Sequence, residues 1–258
     1  MNNTCVSHIP DGFVPARVGV KDMRYPIKVR TRSGSLLDTI ASVDVQAELP
    51  GNCGFDDLYK IGAAFMGCCE GIDIRIIKPM LDRMRRETGA DSVSVKIKFP
   101  YFVRKSAPVS GVQSSMDYDC SLSGSVDSGD RWNLRMALTV PVSTVCPCSK
   151  EISDFGAHNQ RGMVKLKVAP LRFLWFEDLI ALVEESASCS LFSILEDEDE
   201  KFCTEQGYDH PRFVEDLVRE IALRLNKRPD IGWYSIEAEN TESIHNHNAF
   251  ALIEKNVV

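Results

Sequence analysis

The chain has 258 residues, 44% hydrophobic and 26% charged, which suits one large domain or two smaller ones and excludes a disordered tail or a coiled coil. Its net charge of −7 argues against broad nucleic-acid binding, but allows a small anion in a local basic pocket. No apolar run reaches the roughly 18–20 residues of a membrane span, and the N-terminus lacks the features of a signal peptide. We therefore expect no membrane association and a cytoplasmic protein. Its nine cysteines should be reduced thiols rather than a disulfide framework.

The first half of the chain predicts two strands, two helices and two more strands. Residues 17–31 are extended in character, and residues 40–49 alternate, with one apolar face formed by Val43, Val45, Ala47 and Leu49. After a turn at 50–54, residues 55–71 have helical spacing of Leu58, Ile61, Phe65 and Cys68. A second helix covers 72–89 and is capped by Gly89, with Pro79 either kinking it or starting its second part. Strands at 92–99 and 115–126 follow, and Cys68 and Cys69 are expected in the core.

The second half repeats this order. Strands are predicted at 131–142 and 163–170, helices at 176–189 and 210–226, and strands at 231–240 and 249–254. The last helix has a core stripe formed by Phe213, Leu217, Ile221 and Leu225. We therefore predict an α+β protein of two tandem ββααββ modules, with antiparallel sheets and helices on one face. The predicted modules are residues 1–127, including an N-terminal extension, and residues 128–258. Exposed sheet edges in such modules favour further assembly.

Cys146 and Cys148 directly follow a predicted strand, and His158 lies in a polar loop that enters the next strand. Thiolate and imidazole suit a zinc-like divalent metal, although structural zinc sites usually show C-x-x-C spacing and four ligands. A redox pair usually lies at a helix start, and no helix is expected to begin here. The third interpretation is a buried thiol pair with a surface histidine.

His245 and His247 form a second candidate site, with Glu242 close by. If this segment enters the last strand, both histidines share one face, about 7 Å apart. Two imidazoles on one face can bind metal or exchange protons near neutral pH. Structural histidines are the alternative.

Charged residues in three further segments have ordinary explanations beside functional ones. We interpret the acidic stretch 195–202 as a solvated loop, although one carboxylate could complete a metal site. We interpret Glu215 as an exposed helical carboxylate. Arg104 and Lys105 could bind phosphate oxygens or be solvated cations at a strand end. None of these segments decides the function alone, but together they suggest an open three-ligand metal site beside acid–base groups.

Several motifs, taken together, resemble those of the type IB GTP cyclohydrolases. They are dense from about residue 97 to 252 and also touch VGVKDMRYPI at 18–27. In chain order they read APVSG, DYDCSLSG, CPCSKEIS.FGAHNQR, DEKF.TE, P.FVEDLVR and ENTESIHNHNAFA.

The resemblance implies the tunnelling fold, with two ββααββ modules per chain, and a homo-oligomer, expected to be a tetramer with active sites near subunit interfaces. It implies conversion of GTP and water into 7,8-dihydroneopterin triphosphate and formate, the entry step to folate and to queuosine-type nucleosides. It also implies one divalent metal per site, and zinc, manganese and iron(II) all suit a mixed sulfur, nitrogen and oxygen shell.

The resemblance also implies residue roles. The metal ligands are Cys146, His158 and Glu200, with Glu198 as the alternative carboxylate. Glu215 anchors the guanine through a bidentate contact to N1–H and the exocyclic amine. His245 and His247 form the acid–base pair beside purine C8, and Glu242 orients them. Cys148 is the second active-site cysteine, of open role, and Arg104 and Lys105 stay candidates for the phosphates.

The chain departs from the family at residues 51–65, which lack the histidine and arginine of a GTHMSRF-like stretch. That departure affects any substrate or subunit contact made by the segment. Two other functions remain open at this point: a related pterin- or deazapurine-forming enzyme of the same fold, and a catalytically silent purine- or metal-binding protein.

Overall fold

The computed structural model describes residues 17–49, 55–67 and 69–257, with side chains from residue 59 onward in the second range. The predicted turn at 50–54, the Cys68 position and the Leu58 side chain lie outside the described residues. The strands are β1 (Val18–Arg30), β2 (Leu36–Glu48), β3 (Ser92–Ser106), β4 (Gln113–Val126), β5 (Trp132–Val145), β6 (Asn159–Pro170), β7 (Ile231–Thr241) and β8 (Asn248–Asn256). The helices are α1 (Phe55–Met66), α2 (Ile74–Thr88), α3 (Pro147–Ile152), α4 (Phe176–Glu184), α5 (Asp197–Asp209) and α6 (Val214–Leu225).

The eight strands follow chain order across one sheet, from β1 to β8. The pairs β1–β2, β2–β3, β6–β7 and β7–β8 are antiparallel. The predicted order of two strands, two helices and two strands is confirmed in the first half, and the second half has the predicted strands and helices in the predicted sequence. The second half contains two helices that the periodicity missed, α3 and α5.

The chain divides into two compact units. One comprises the chain up to Pro100 together with Ser121–Met136, and the other comprises Tyr101–Cys120 and Ala137–Val258. The far end of the β3–β4 hairpin therefore belongs to the second unit. The module boundary between residues 127 and 128 stays a prediction.

The first unit has the predicted core. The inward face of β2 is buried at Val43 and Val45, and Phe65 of α1 packs edge-on against Tyr25 of β1 at a ring-centroid distance of 6.0 Å. Helix α2 runs through Pro79 to its predicted cap at Gly89, which has φ 67° and donates its backbone N–H to the carbonyl of Arg85. Cys69 is half-buried rather than a core residue.

The second unit builds its core from β6, β7 and the helices α4 and α6. Val164, Leu166 and Val168 alternate on the buried side of β6 and are fully buried. Leu217, Ile221 and Leu225 of α6 are fully buried, as predicted. The prediction was wrong for Phe213, which is exposed because it precedes the first helical residue and its side chain therefore does not follow the helical stripe.

The acidic stretch at 195–202 is not a loop, because residues 197–209 form α5. Four acidic residues occupy its first turn, where the positive end of the helix dipole favours negative charge. The backbone N–H of Glu196 donates to Oδ2 of Asp199 at 3.0 Å, and the backbone N–H of Asp199 donates to the carbonyl of Glu196 at 3.0 Å, so both N–H groups at the helix start have acceptors. Among the described residues, no helix is long and apolar enough to cross a membrane.

Candidate active site

Cys146 lies where β5 ends and the short helix α3 begins. Its Sγ accepts from the backbone N–H of Ser149 at 3.4 Å, so the thiol serves as the N-cap of the helix. Pro147 occupies the first turn of α3, where a backbone N–H would have no acceptor within the helix, so the lack of one in proline costs no hydrogen bond. The expectation that no helix begins at these cysteines was wrong, because a thiol can cap a helix where serine or aspartate normally would. Cys148 is exposed within α3.

His158 is held beside Cys146 by the backbone. The N–H of Cys146 donates to the carbonyl of His158 at 3.1 Å, and the N–H of His158 donates to the hydroxyl of Ser149 at 3.2 Å. The ring of His158 is half-buried, and its Nδ1 lies 3.0 Å from Oε1 of Gln160. These contacts join the start of α3 to the start of β6. Two of the three predicted ligands therefore lie on backbone segments that are hydrogen-bonded to each other.

His245 and His247 lie in the loop before β8, which begins at Asn248. The premise that they share a strand face was wrong, because the segment turns before it pairs with β7. Their rings nevertheless stack, with centroids 5.3 Å apart and an interplanar angle of 27°. His245 also meets His158 edge-on at 6.5 Å, and Glu242 lies half-buried in the same loop. Imidazoles from two separate segments thus come together in the second unit.

Helix α5 is anchored by the fully buried Asp199. Its carboxylate accepts from the N–H of Val109 at 2.8 Å, and from the N–H and hydroxyl of Ser110 at 2.9 and 2.6 Å. Burial on its own would raise the pKa of Asp199, but the hydrogen bonds from Ser110, Glu196 and Val109 outweigh it and hold that pKa well below its usual range. The start of α5 is therefore fastened to the loop between β3 and β4.

The other end of α5 packs against Val145, the residue before Cys146. A Cβ at Gly207 would lie 3.3 Å from Cγ2 of Val145, and Nζ of Lys150 lies 4.0 Å from the ring centroid of Tyr208. The same side of α5 carries Cys203, whose thiol contacts the buried thiol of Cys189. Burial and this contact raise the pKa of Cys189 to about 12.

The helical period separates the two candidate carboxylate ligands. At about 100° per residue, Glu200 points within about 20° of Gly207, toward the side of α5 that faces Val145. Glu198 points about 180° away from Gly207. Both side chains are exposed. The direction favours Glu200 over Glu198, although Glu200 lies about 10 Å further along the helix axis than Gly207.

The predicted substrate-binding residues differ in their surroundings. Glu215 is exposed in the first turn of α6. Arg104 is exposed on β3. Lys105 instead points inward: its Nζ donates to Oε1 of Glu184 at 2.8 Å and to the carbonyl of Leu191 at 2.6 Å. A substrate role for Lys105 stays a prediction, and these contacts favour a structural role.

The donor set partly fits a divalent metal. Cys146 and His158 offer the sulfur and nitrogen ligands that zinc, manganese or iron(II) accept, and Nδ1 of His158 is oriented by a side-chain oxygen, as metal-binding histidines usually are. Within residues 17–49, 55–67 and 69–257, no group of three or more His, Cys, Asp or Glu side chains has metal-binding geometry. The carboxylate of Glu200 is therefore not gathered with the other two.

Sequence reasoning missed Thr144, Gln160 and Asp199. Gln160 falls on the buried side of an alternating strand, and a polar residue in such a position is the signal that could have identified it. The spacing of Glu196 and Asp199 is that of an acidic capping box, which would have predicted the start of α5.

The fold and the site together define a tunnelling-fold protein with a Cys–His pair beside stacked histidines. Solved structures of the same fold include a uricase from Arthrobacter globiformis, with a TM-score of 0.58 at 9% identity, covering 93% of this chain and 92% of that one. Urate oxidase from Bacillus subtilis 168 has a TM-score of 0.56 at 9% identity, covering 93% and 98%. At such low identity the likeness establishes the fold alone.

The sequence comparisons establish the family. The model described as type I GTP cyclohydrolase folE2 matches residues 13–251. A GTP cyclohydrolase FolE2 from Syntrophus aciditrophicus is 46% identical and one from Syntrophobacter fumaroxidans 44% identical, each over 239 residues and 93% of both chains. The chain belongs to the type I GTP cyclohydrolase FolE2 family. The predicted family, the tunnelling fold and the class of enzyme are confirmed.

Proposed function

We propose that this chain converts GTP and water into 7,8-dihydroneopterin triphosphate and formate, the first step of folate biosynthesis. The observation that carries the proposal is the convergence of Cys146, His158, His245 and His247. They come from two separate segments and meet within one unit. These are the residue types that opening a purine imidazole ring requires, namely metal ligands beside groups that transfer protons near neutral pH.

We assign the metal ligands to Cys146, His158 and Glu200. A divalent metal, when bound, supplies Lewis-acid activation of water for hydrolysis at purine C8. To bind the same metal as Cys146 and His158, the carboxylate of Glu200 has to move closer to Cys146. The direction of Glu200 on α5 is compatible with that movement. Zinc, manganese and iron(II) all remain candidates.

We assign the proton transfers to His245 and His247. One imidazole protonates purine N7 as water attacks C8, and the pair then exchanges protons as the ring opens and formate leaves. Their exposed position allows a substrate to reach both rings. Glu242, in the same loop, orients the pair. Cys148, which is exposed in α3, is the second active-site cysteine, and its role stays open.

We assign recognition of guanine to Glu215. Its carboxylate, exposed at the start of α6, can accept from guanine N1–H and the exocyclic amine together. Arg104, also exposed, is the candidate for contact with the triphosphate. We also propose that the chain forms a homotetramer, with active sites completed near subunit interfaces, and that it is cytoplasmic.

The first test is an anaerobic assay of metal-stripped protein with GTP, adding back manganese, iron(II) or zinc separately. Formate release and the fluorescence of the oxidised pterin report the reaction. We expect product with at least one metal. Tight GTP binding without turnover under all three metals would instead indicate a silent binding protein, and a different product would indicate a related enzyme of this fold.

Two variants test the residue assignments. Cys146→Ala should lose bound metal and formate release together, whereas Cys69→Ala, a half-buried cysteine in the first unit, should keep both. Full turnover by Cys146→Ala would refute the ligand assignment.

Glu215→Gln removes a charged acceptor, which should lower kcat/KM for GTP by about 10- to 100-fold. The neighbouring Asp216→Asn is the matched control, because Asp216 pairs with Arg219 at 2.8 Å on the helix surface. Equal kinetics for the two variants would contradict the anchor role of Glu215.

A further inference from the structure

A buried polar chain runs from β5 through β6 to the ring of His158. Gln160 lies on the core side of β6, in line with the buried residues Val164, Leu166 and Val168, and is itself only 8% exposed. An amide on such a face is unfavourable unless it is hydrogen-bonded. Here both ends of the amide have a partner.

The two hydrogen bonds of Gln160 have a direction. Its Nε2 donates to Oγ1 of Thr144 at 2.9 Å, and Thr144 is fully buried on β5. This orientation leaves Oε1 facing Nδ1 of His158 at 3.0 Å. Because an amide oxygen can only accept, Nδ1 must carry the proton, and the lone pair of the neutral ring is then on Nε2.

We propose that Gln160, held by Thr144, is the positioning residue that sets the tautomer and the ring orientation of His158, so that Nε2 is presented as a metal ligand. The inference rests on the metal site in the proposed function. Ser243 also approaches Nδ1, but at 3.4 Å, and its hydroxyl can donate or accept. It therefore does not select a tautomer, whereas Gln160 does.

Zinc affinity, measured on metal-stripped protein by competition with a chromophoric chelator, tests the inference. Gln160→Met keeps the volume but neither hydrogen bond, and should weaken zinc binding by about 10- to 100-fold. Gln160→Glu still accepts from Nδ1–H and from the hydroxyl of Thr144, and should restore binding close to that of the wild type. Thr144→Val should fall between them.

Ser186→Ala is the matched control for the loss of a buried hydrogen bond in the same unit, since Oγ of Ser186 donates to the carbonyl of Leu182 at 2.7 Å. It should leave zinc affinity unchanged. Wild-type affinity in Gln160→Met, with zinc lost in His158→Ala, would overturn the positioning role while leaving the metal site intact. Unchanged zinc binding in His158→Ala would instead overturn the ligand assignment on which the inference depends.

A second measurement does not depend on whether Gln160→Met folds. The chain has five histidines, so ¹⁵N labelling of histidine alone gives few ring signals, and His158 is identified by the signal lost in His158→Ala. We expect the metal-free wild-type ring to be the Nδ1–H tautomer. An Nε2–H tautomer would refute the proposed direction of the Gln160 hydrogen bonds.

Discussion

Replacing Lys105 by methionine separates a structural role from a substrate-binding role for this residue. The Lys105 and Glu184 side chains are each 10% exposed, and Nζ of Lys105 lies 4.5 Å from the ring centroid of Phe192. Oε1 of Glu184 also accepts from the hydroxyl of Tyr118 at 2.6 Å. Methionine keeps most of the volume of lysine but removes the positive charge, so it leaves the Glu184 carboxylate buried without its cation.

The expected magnitude follows from the geometry. At 2.8 Å, and with an effective dielectric constant of about 20, the two charges attract by about 6 kcal/mol. Desolvation offsets much of that attraction, but removing one partner of a buried pair costs about 3–5 kcal/mol, because the other charge stays buried. We therefore expect Lys105→Met to lower the free energy of unfolding by about 3–5 kcal/mol. For a chain of this size, that lowers Tm by about 6–20 °C.

The assay is a double-mutant cycle with Glu184→Gln, followed by thermal and urea unfolding. The double variant has no charge left at this buried pair, so it should be clearly more stable than Lys105→Met alone. Assayed well below its Tm, Lys105→Met should keep the wild-type KM for GTP. A variant as stable as the wild type, with a raised KM for GTP, would refute this reasoning and support the substrate role. Arg104→Met is the exposed control and should change stability by no more than about 0.5 kcal/mol.

Three further predictions concern α5 and the first unit. Asp199→Asn should lower Tm at pH 7. Because the pKa of Asp199 is depressed in the folded state, the ionised carboxylate contributes fully to stability above the ordinary carboxyl pKa of about 3.9, and this contribution declines below that pH. The Tm gap between wild type and variant should therefore narrow on acidification, and a constant gap down to pH 3 would contradict this. Glu200→Gln should weaken metal binding while Glu198→Gln should not, as measured by metal content after dialysis, and the reverse order would reassign the ligand. Gly124→Ala should destabilise the protein to urea by about 1–3 kcal/mol, because the new Cβ would overlap Cγ2 of Ile77; unchanged stability would show that α2 can shift.

Most of the fold could be predicted from the sequence, because alternation and helical spacing are properties of neighbouring residues. The inward face of β2 and the stripe Leu217, Ile221 and Leu225 follow directly from such spacing. Helix α5 could not be found this way. It has little apolar periodicity, and it is stabilised by the capping pair of Glu196 and Asp199 and by contacts with residues far away in the chain.

The identities of the site residues also came from the sequence, through motifs that resemble those of a known family. How these residues meet was decided by the tertiary structure. His245 and His247 were expected on a strand face, yet they stack within a loop and approach His158.

The sequence by itself determined the order of strands and helices, the family and the residue types of the candidate site. Only the tertiary structure decided that Lys105 points inward to Glu184, that Asp199 anchors α5 to a loop 89 residues earlier, and that Thr144, 16 residues earlier, holds Gln160 beside His158. The physical reason is the range of the interactions. Periodicity and capping depend on residues within a few positions of each other. These contacts instead join buried polar groups that come from distant parts of the chain.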